Sequence, residues 1–141
     1  MSKTSLIRTL RFTASHHYRR PEWTEEENLR TFGENVRSHQ HDWSVDVQVG
    51  GDVDPRTGFV VDLGALDAAI EEVVGPLARA DLNVAIPEVA DGRMLPSTES
   101  LAGWLFDRLA PRIPAPARLE RVRVREGDAL ASEARAPGLP A

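Results

Sequence analysis

The sequence predicts an α+β domain in which an antiparallel β-sheet carries two helices on one face. Three observations lead there. Residues 5–16, 39–49 and 118–126 alternate apolar and polar side chains with a period of two, as half-buried strands do. Residues 63–77 and 97–109 repeat their apolar positions at three and four, as amphipathic helices do. The strands and helices also come in separate runs, which favours segregated layers over alternating βαβ units.

Each element has its own warrant. In the first strand Leu10, Phe12, Ala14 and His16 share one parity. Residues 17–38 read as a long polar, acidic connection containing Pro21 and Gly33, and a loop of that length in a compact domain is usually functional or mobile. In the second strand His39, His41, Trp43, Val45, Val47 and Val49 share a face opposite Gln40, Asp42, Ser44, Asp46 and Gln48. The turn-forming residues 50–58 and the short run Phe59-Val60-Val61 then predict a hairpin with a return strand. Asp62 suits the N-cap of a helix whose stripe is Leu63, Leu66, Ile70, Val73, Val74 and Leu77, closed by Pro76. Ser97 or Thr98 caps the next helix, whose stripe is Leu101, Trp104, Leu105 and Leu109, and Glu99 suits its positive end. Pro111, Pro114 and Pro116 end it. In the last long strand Val122, Val124 and Glu126 face one way, and Arg121, Arg123 and Arg125 the other. The Pro- and Ala-rich residues 134–141 are expected to form a flexible tail to a single domain of residues 1–133. A sheet of this kind leaves open edges, and homo-oligomerisation is the expected cover.

Composition narrows the function. With 141 residues and 41% hydrophobic content the chain fits one globular domain. No apolar run is long enough to span a bilayer and no charged-then-apolar leader opens the chain, so a cytoplasmic protein without membrane partners is expected. The absence of cysteine excludes disulfides, thiolate metal sites and cysteine nucleophiles. A net charge of −5 argues against general nucleic-acid binding. No P-loop, G-x-G-x-x-G or G-x-S-x-G motif is present.

The chemistry-bearing pattern is three histidines. His39 and His41 share the apolar face of the second strand, roughly 6.5–7 Å apart by strand geometry, and His16 ends the apolar face of the first. If the two strands pair, three imidazoles converge as ligands for one ion, and the fourth tetrahedral position stays open, as in catalytic zinc sites. His17 lies on the opposite parity, as a solvated neighbour.

In order along the chain, Phe12-Thr13-Ala14-Ser15-His16, Phe32-Gly33, His39-Gln40-His41, Asp54-Pro55-Arg56-Thr57-Gly58 with Asp62 after it, Leu82-Asn83, Pro96-Ser97-Thr98-Glu99 and Val122-Arg123-Val124-Arg125-Glu126 form a specific set. Over roughly residues 5–130 it resembles the 6-pyruvoyl-tetrahydropterin synthase and 6-carboxy-tetrahydropterin synthase family. That resemblance implies the tunnelling fold, whose strands close into a barrel on oligomerisation, and a hexamer of two trimers with sites shared between subunits. It implies Zn2+ held by His16, His39 and His41, and a pterin-like substrate. It also implies that Glu126 anchors the substrate, because a carboxylate can accept the pterin's N3–H and 2-amino donors in a fork; an arginine salt bridge is the alternative. Thr98 and Glu99 line the same pocket or serve only as capping residues.

The departures concern the proton-transfer groups. The family's catalytic cysteine, four residues before the H-x-H pair, is Asn35 here, with Glu34 beside it. The family motif L-D-H-x-x-L-N reads Leu77-Ala78-Arg79-Ala80-Asp81-Leu82-Asn83, so Ala78 and Arg79 stand where the catalytic aspartate and histidine belong. Some relatives use a glutamate in place of the cysteine and cleave the substrate side chain, which makes Glu34 a candidate catalytic base, with Asp81 and Asp42 as others. Arg79 either binds a phosphate or carboxylate of the substrate or is solvated. The resemblance therefore implies a zinc-dependent lyase or cyclase-like enzyme with a non-standard base and an altered outcome. The alternatives are a non-catalytic pterin- or purine-binding homologue that keeps the zinc site, and a conventional 6-carboxy-tetrahydropterin synthase.

Overall fold

The computed structural model describes residues 3–139. Met1 and Ser2 of the expected domain, and Pro140 and Ala141 of the expected tail, lie outside the described residues. The elements in chain order are β1 (Thr4–His16), α1 (Glu25–Phe32) running into a 3-10 turn (Gly33–Val36), β2 (His39–Gly51), α2 (Leu63–Val74), β3 (Ala80–Asp81), the short α3 (Leu82–Ala85) and α4 (Pro87–Ala90), α5 (Thr98–Leu109), β4 (Arg118–Glu126) and β5 (Leu130–Arg135). The five strands form one sheet in the order β3-β1-β2-β4-β5. It is antiparallel throughout except for the two-residue β3, which pairs parallel with the end of β1.

The expected layers are present. Val45, Val47 and Val49 of β2 and Val122 and Val124 of β4 form one buried cluster with Leu66, Ile70, Val73 and Val74 of α2 and Leu101, Ala102, Leu105 and Leu109 of α5. Both helices therefore cover the same sheet face, and burying their apolar stripes against it supplies the main favourable term in folding. The other face is polar, with Thr9 donating to Asp46 and Arg123 to Glu133. Asp62 caps α2 by accepting from the amide of Ala65 at 3.0 Å, and Ser97 caps α5 by accepting from Ser100 at 3.2 Å.

Three expectations are corrected. The return strand at residues 59–61 does not form: β1 and β4 occupy both edges of β2, so no ladder remains for it. Residues 54–59 close instead as a turn, Asp54 N–H donating to Phe59 O at 2.9 Å and Gly58 N–H to Asp54 O at 2.7 Å, while Val61 is buried in the core. The connection 17–38 is not structureless, because it contains α1, capped by Thr24, which accepts from the amide of Glu27 at 3.1 Å. Thr24, followed by Glu25, Glu26 and Glu27, is a readable helix start, but Asn28 is the only buried residue of α1, so there was almost no apolar stripe to detect. Finally, β5 runs to Arg135, with Ala134 opposite Val122 and packed against the core, so the sheet extends two residues beyond the expected boundary at 133. No helix of the described residues is long and apolar enough to cross a membrane.

The cap of α2 gives a clean test of the fold because Asp62 lies far along the chain from the histidines. Asp62→Ala is expected to lower the unfolding free energy by about 1 kcal/mol in urea denaturation and to leave metal content unchanged.

Candidate metal centre

The β1–β2 register places His16 directly opposite His39 and Ala14 opposite His41. Because His39 and His41 share a face, all three rings lean over the same end of the sheet: centroids lie 4.6 Å apart for His16 and His39, 5.2 Å for His16 and His41, and 4.9 Å for His39 and His41. Trp43, next on that face, forms the floor, its ring 4.9 Å from His16 and its indole N–H donating to Ala14 O at 3.1 Å. Opposite Trp43 on β4 stands Glu126, the last residue of its strand. Its carboxylate Oε1 lies 3.1 Å from His16 Nε2 and 2.6 Å from His41 Nε2. One ligand atom from each of His16, His39, His41 and Glu126 falls within 4.8 Å of every other.

The ring nitrogens are already sorted. His16 Nδ1 lies 2.9 Å from Pro96 O and His39 Nδ1 lies 2.7 Å from Arg37 O. A carbonyl can only accept, so both Nδ1 atoms carry the proton and both Nε2 atoms present a lone pair when the rings are neutral. His16 is 0% exposed, and burial pushes its imidazole below the ordinary histidine range; His39 and His41 push the same way, against the Pro96 carbonyl and Glu126. A neutral His16 thus aims a bare lone pair toward a carboxylate oxygen 3.1 Å away, a repulsive contact that a cation held by the imidazoles would relieve. The donors fit zinc: three imidazole nitrogens without thiolates, two of the rings oriented from the far side by backbone carbonyls, and one carboxylate at the edge.

The other candidate residues are distributed around this cluster. Glu34 sits on the 3-10 turn after α1, its side chain 86% exposed and paired to Arg37 at 3.0 Å. That turn is tied to the metal strand, because Tyr18 N–H donates to Asn35 O at 2.8 Å. Asp81 caps α3, accepting from the amide of Asn83 at 3.0 Å, and Asp42 is exposed on the opposite sheet face. Arg79 is exposed at the left-handed φ of 60°, where its N–H donates to Thr13 O at 2.6 Å. Thr98 is buried, donating to Glu99 Oε1 at 2.9 Å with Ser132 Oγ 2.7 Å away. His17 is held by Asn83, whose side chain brackets its backbone N–H and C=O.

Sequence reasoning missed the contribution of Tyr18, whose ring lies 5.0 Å from that of His16. Burial, helped by the charges of Glu126 and Glu99, pushes its phenol up to about 12, so it is a neutral hydrogen-bond donor at physiological pH. Its proximity in sequence to His16 was the available signal, hidden by the reading of residues 17–38 as a loop.

A family model described as 6-pyruvoyl tetrahydropterin synthase matches residues 5–137. The human 6-pyruvoyl tetrahydrobiopterin synthase is 36% identical over 129 residues, covering 89% of this chain and 87% of that one. The dihydroneopterin monophosphate aldolase of Pyrococcus furiosus is 28% identical over 131 residues, 93% of this chain and 96% of its own. The structure of Caenorhabditis elegans 6-pyruvoyl tetrahydropterin synthase superposes with a TM-score of 0.87 at 23% identity, over 96% of this chain and 97% of that one.

Two measurements check the centre. Zinc affinity is expected to fall by more than the 10–100-fold typical of lost outer-shell contacts in His39→Ala and in His41→Ala, read by competition with a chelator. Because the folded state lowers the His16 pKa, the unfolded chain binds more protons below about pH 6.5, so stability must fall as pH drops through that value. Urea unfolding of the metal-free protein between pH 7.5 and 5 reads that slope, which His16→Gln should flatten.

Proposed function

The chain belongs to the 6-pyruvoyl tetrahydropterin synthase family, and from that premise we propose that it is a zinc-dependent carbon–carbon or carbon–oxygen lyase that processes a pterin with a base other than the family's cysteine. The observation that carries this reading is the cluster of three imidazoles with Glu126 at its edge. The residues fit zinc on His16, His39 and His41, where it would supply Lewis-acid polarisation of vicinal side-chain oxygens of the substrate.

The chain's own groups do the rest. The Pro96 and Arg37 carbonyls fix the His16 and His39 rings. Glu126, whose side chain is 12% exposed, takes the N–H edge of the heterocycle once His16 and His41 are engaged elsewhere, and its position on a strand rather than a loop fixes where that edge sits. Glu99 lines a neighbouring cavity, and buried Thr98 donates to its carboxylate at 2.9 Å. The tether from Tyr18 to Asn35 supports Glu34 as the base, since it ties the Glu34 turn to the residue two beyond His16. Asp81 is the second candidate, on the strand that abuts β1 at Ala14 and Ser15.

We further propose a cytoplasmic homo-oligomer, a hexamer of two trimers. Among the described residues β1 has no partner along Thr4–Thr13 on its outer side, and β5 is a free edge at the other end of the sheet. Pairing such edges between copies would close the sheets into a barrel.

Incubating the zinc-loaded protein with 7,8-dihydroneopterin and with its triphosphate, with products followed by mass spectrometry, tests the reaction. Turnover is expected, abolished by Glu126→Ala and reduced at least about 100-fold by Glu34→Ala, the range for loss of a general base. Binding without turnover would replace this reading with that of a non-catalytic pterin-binding homologue. Native mass spectrometry reads the assembly; a monomer would refute the shared barrel.

A further inference from the structure

A cavity of about 490 Å3 abuts the histidines across Tyr18 and the Pro96–Ser97 step. Its wall includes Tyr18, Arg20, Phe32, Arg93, Ser97 and Glu99, and it carries both signs of charge. Glu99 is held ionised, its carboxyl kept below the usual range by its own backbone amide and the Thr98 hydroxyl. Arg20 and Arg93, from segments far apart in the sequence, line the same space. A ligand matched to this cavity presents N–H donors to an acid and negative charge to a pair of arginines.

The two arginines are held differently. Arg20 is gripped through its backbone by Asn28, a 1% exposed side chain in α1: Asn28 Oδ1 accepts from Arg20 N–H at 2.7 Å and Asn28 Nδ2 donates to Arg20 O at 3.0 Å. A buried amide fixes the main chain at residue 20, while among the described residues its guanidinium has only a loose contact, 3.9 Å, with Glu22. Arg93 uses Nε on Asp91 at 2.8 Å, and among the described residues its terminal amines make no hydrogen bond. Both side chains rise from hydrogen-bonded backbone, Arg93 N–H donating to Glu88 O at 2.9 Å, and keep donors to spare; a phosphate's three oxygens can accept from two guanidiniums at once, which a carboxylate does less well.

We propose that Arg20 and Arg93 are the specificity-determining residues for a phosphate group on the substrate's side chain. This rests on the pterin reading above and transfers the anion-binding role from Arg79, which is exposed outside this cavity, to a pair that lines it.

The test measures binding of 7,8-dihydroneopterin, its monophosphate and its triphosphate to the zinc-loaded full chain by calorimetry. Arg20→Met, Arg93→Met and Arg20→Lys are compared with the parent, after circular dichroism and zinc content show them folded and loaded. The parent is expected to favour a phosphorylated compound by on the order of a hundredfold. Each methionine variant should cut that ratio about tenfold, the scale of a lost charge-assisted hydrogen bond, with Arg20→Lys in between. The monophosphate and triphosphate arms identify which phosphate is held. Equal binding of all three compounds, or a ratio unchanged in both methionine variants, overturns the proposal while the pterin reading stands. Failure of all three to bind overturns both.

Discussion

The pairing of β1 with β2 is the constraint on which the rest depends. It sets His16 against His39 and, by the two-residue period of a strand, His41 beside them over Trp43. A slip of one residue would turn Val45, Val47 and Val49 out of the core and the two β2 histidines off the site together. The burial that stabilises the sheet and the convergence that makes the centre are therefore one fact of register. Once β2 is fixed, β4 brings Glu126 opposite Trp43, and α5 begins at Thr98, just after the Pro96 carbonyl that orients His16.

Within this frame the site holds a buried, neutral His16 and two further imidazoles beside a carboxylate. Burial disfavours a charged His16, two backbone carbonyls take the Nδ1 protons, and the remaining lone pairs point inward with Glu126. Such an arrangement is costly without a cation and favourable with one. In the proposed function the same carboxylate turns to the substrate, which would make Glu126 the link between the metal centre and the ligand edge.

Most of this was legible in the sequence because period-two alternation is strong where one face of a strand is buried. His39 to Val49, and Val122 to Glu126, announced both their strands and their facing. What stayed hidden had weak local signals. The α1 helix has charged residues nearly all round, so only its Thr24 cap marked it, and with it went Tyr18, Asn28 and Arg20. Phe59, Val60 and Val61 have strand-like composition, but pairing is decided by which edges are free, and β2 had none left. The β5 strand was half foreseen; its continuation through Ala134 and Arg135 depends on contacts with Val122 and Arg121 that lie 12 and 14 residues away.

Zinc-edge X-ray absorption on the loaded protein and on its Glu126→Gln variant tests the central account most directly. It predicts a first shell with three imidazole nitrogens at about 2.0–2.1 Å, no sulfur, and the same three imidazoles in the variant. A shell with fewer imidazoles, or one that loses its ion when Glu126 is changed, would contradict a three-histidine centre whose carboxylate serves the substrate.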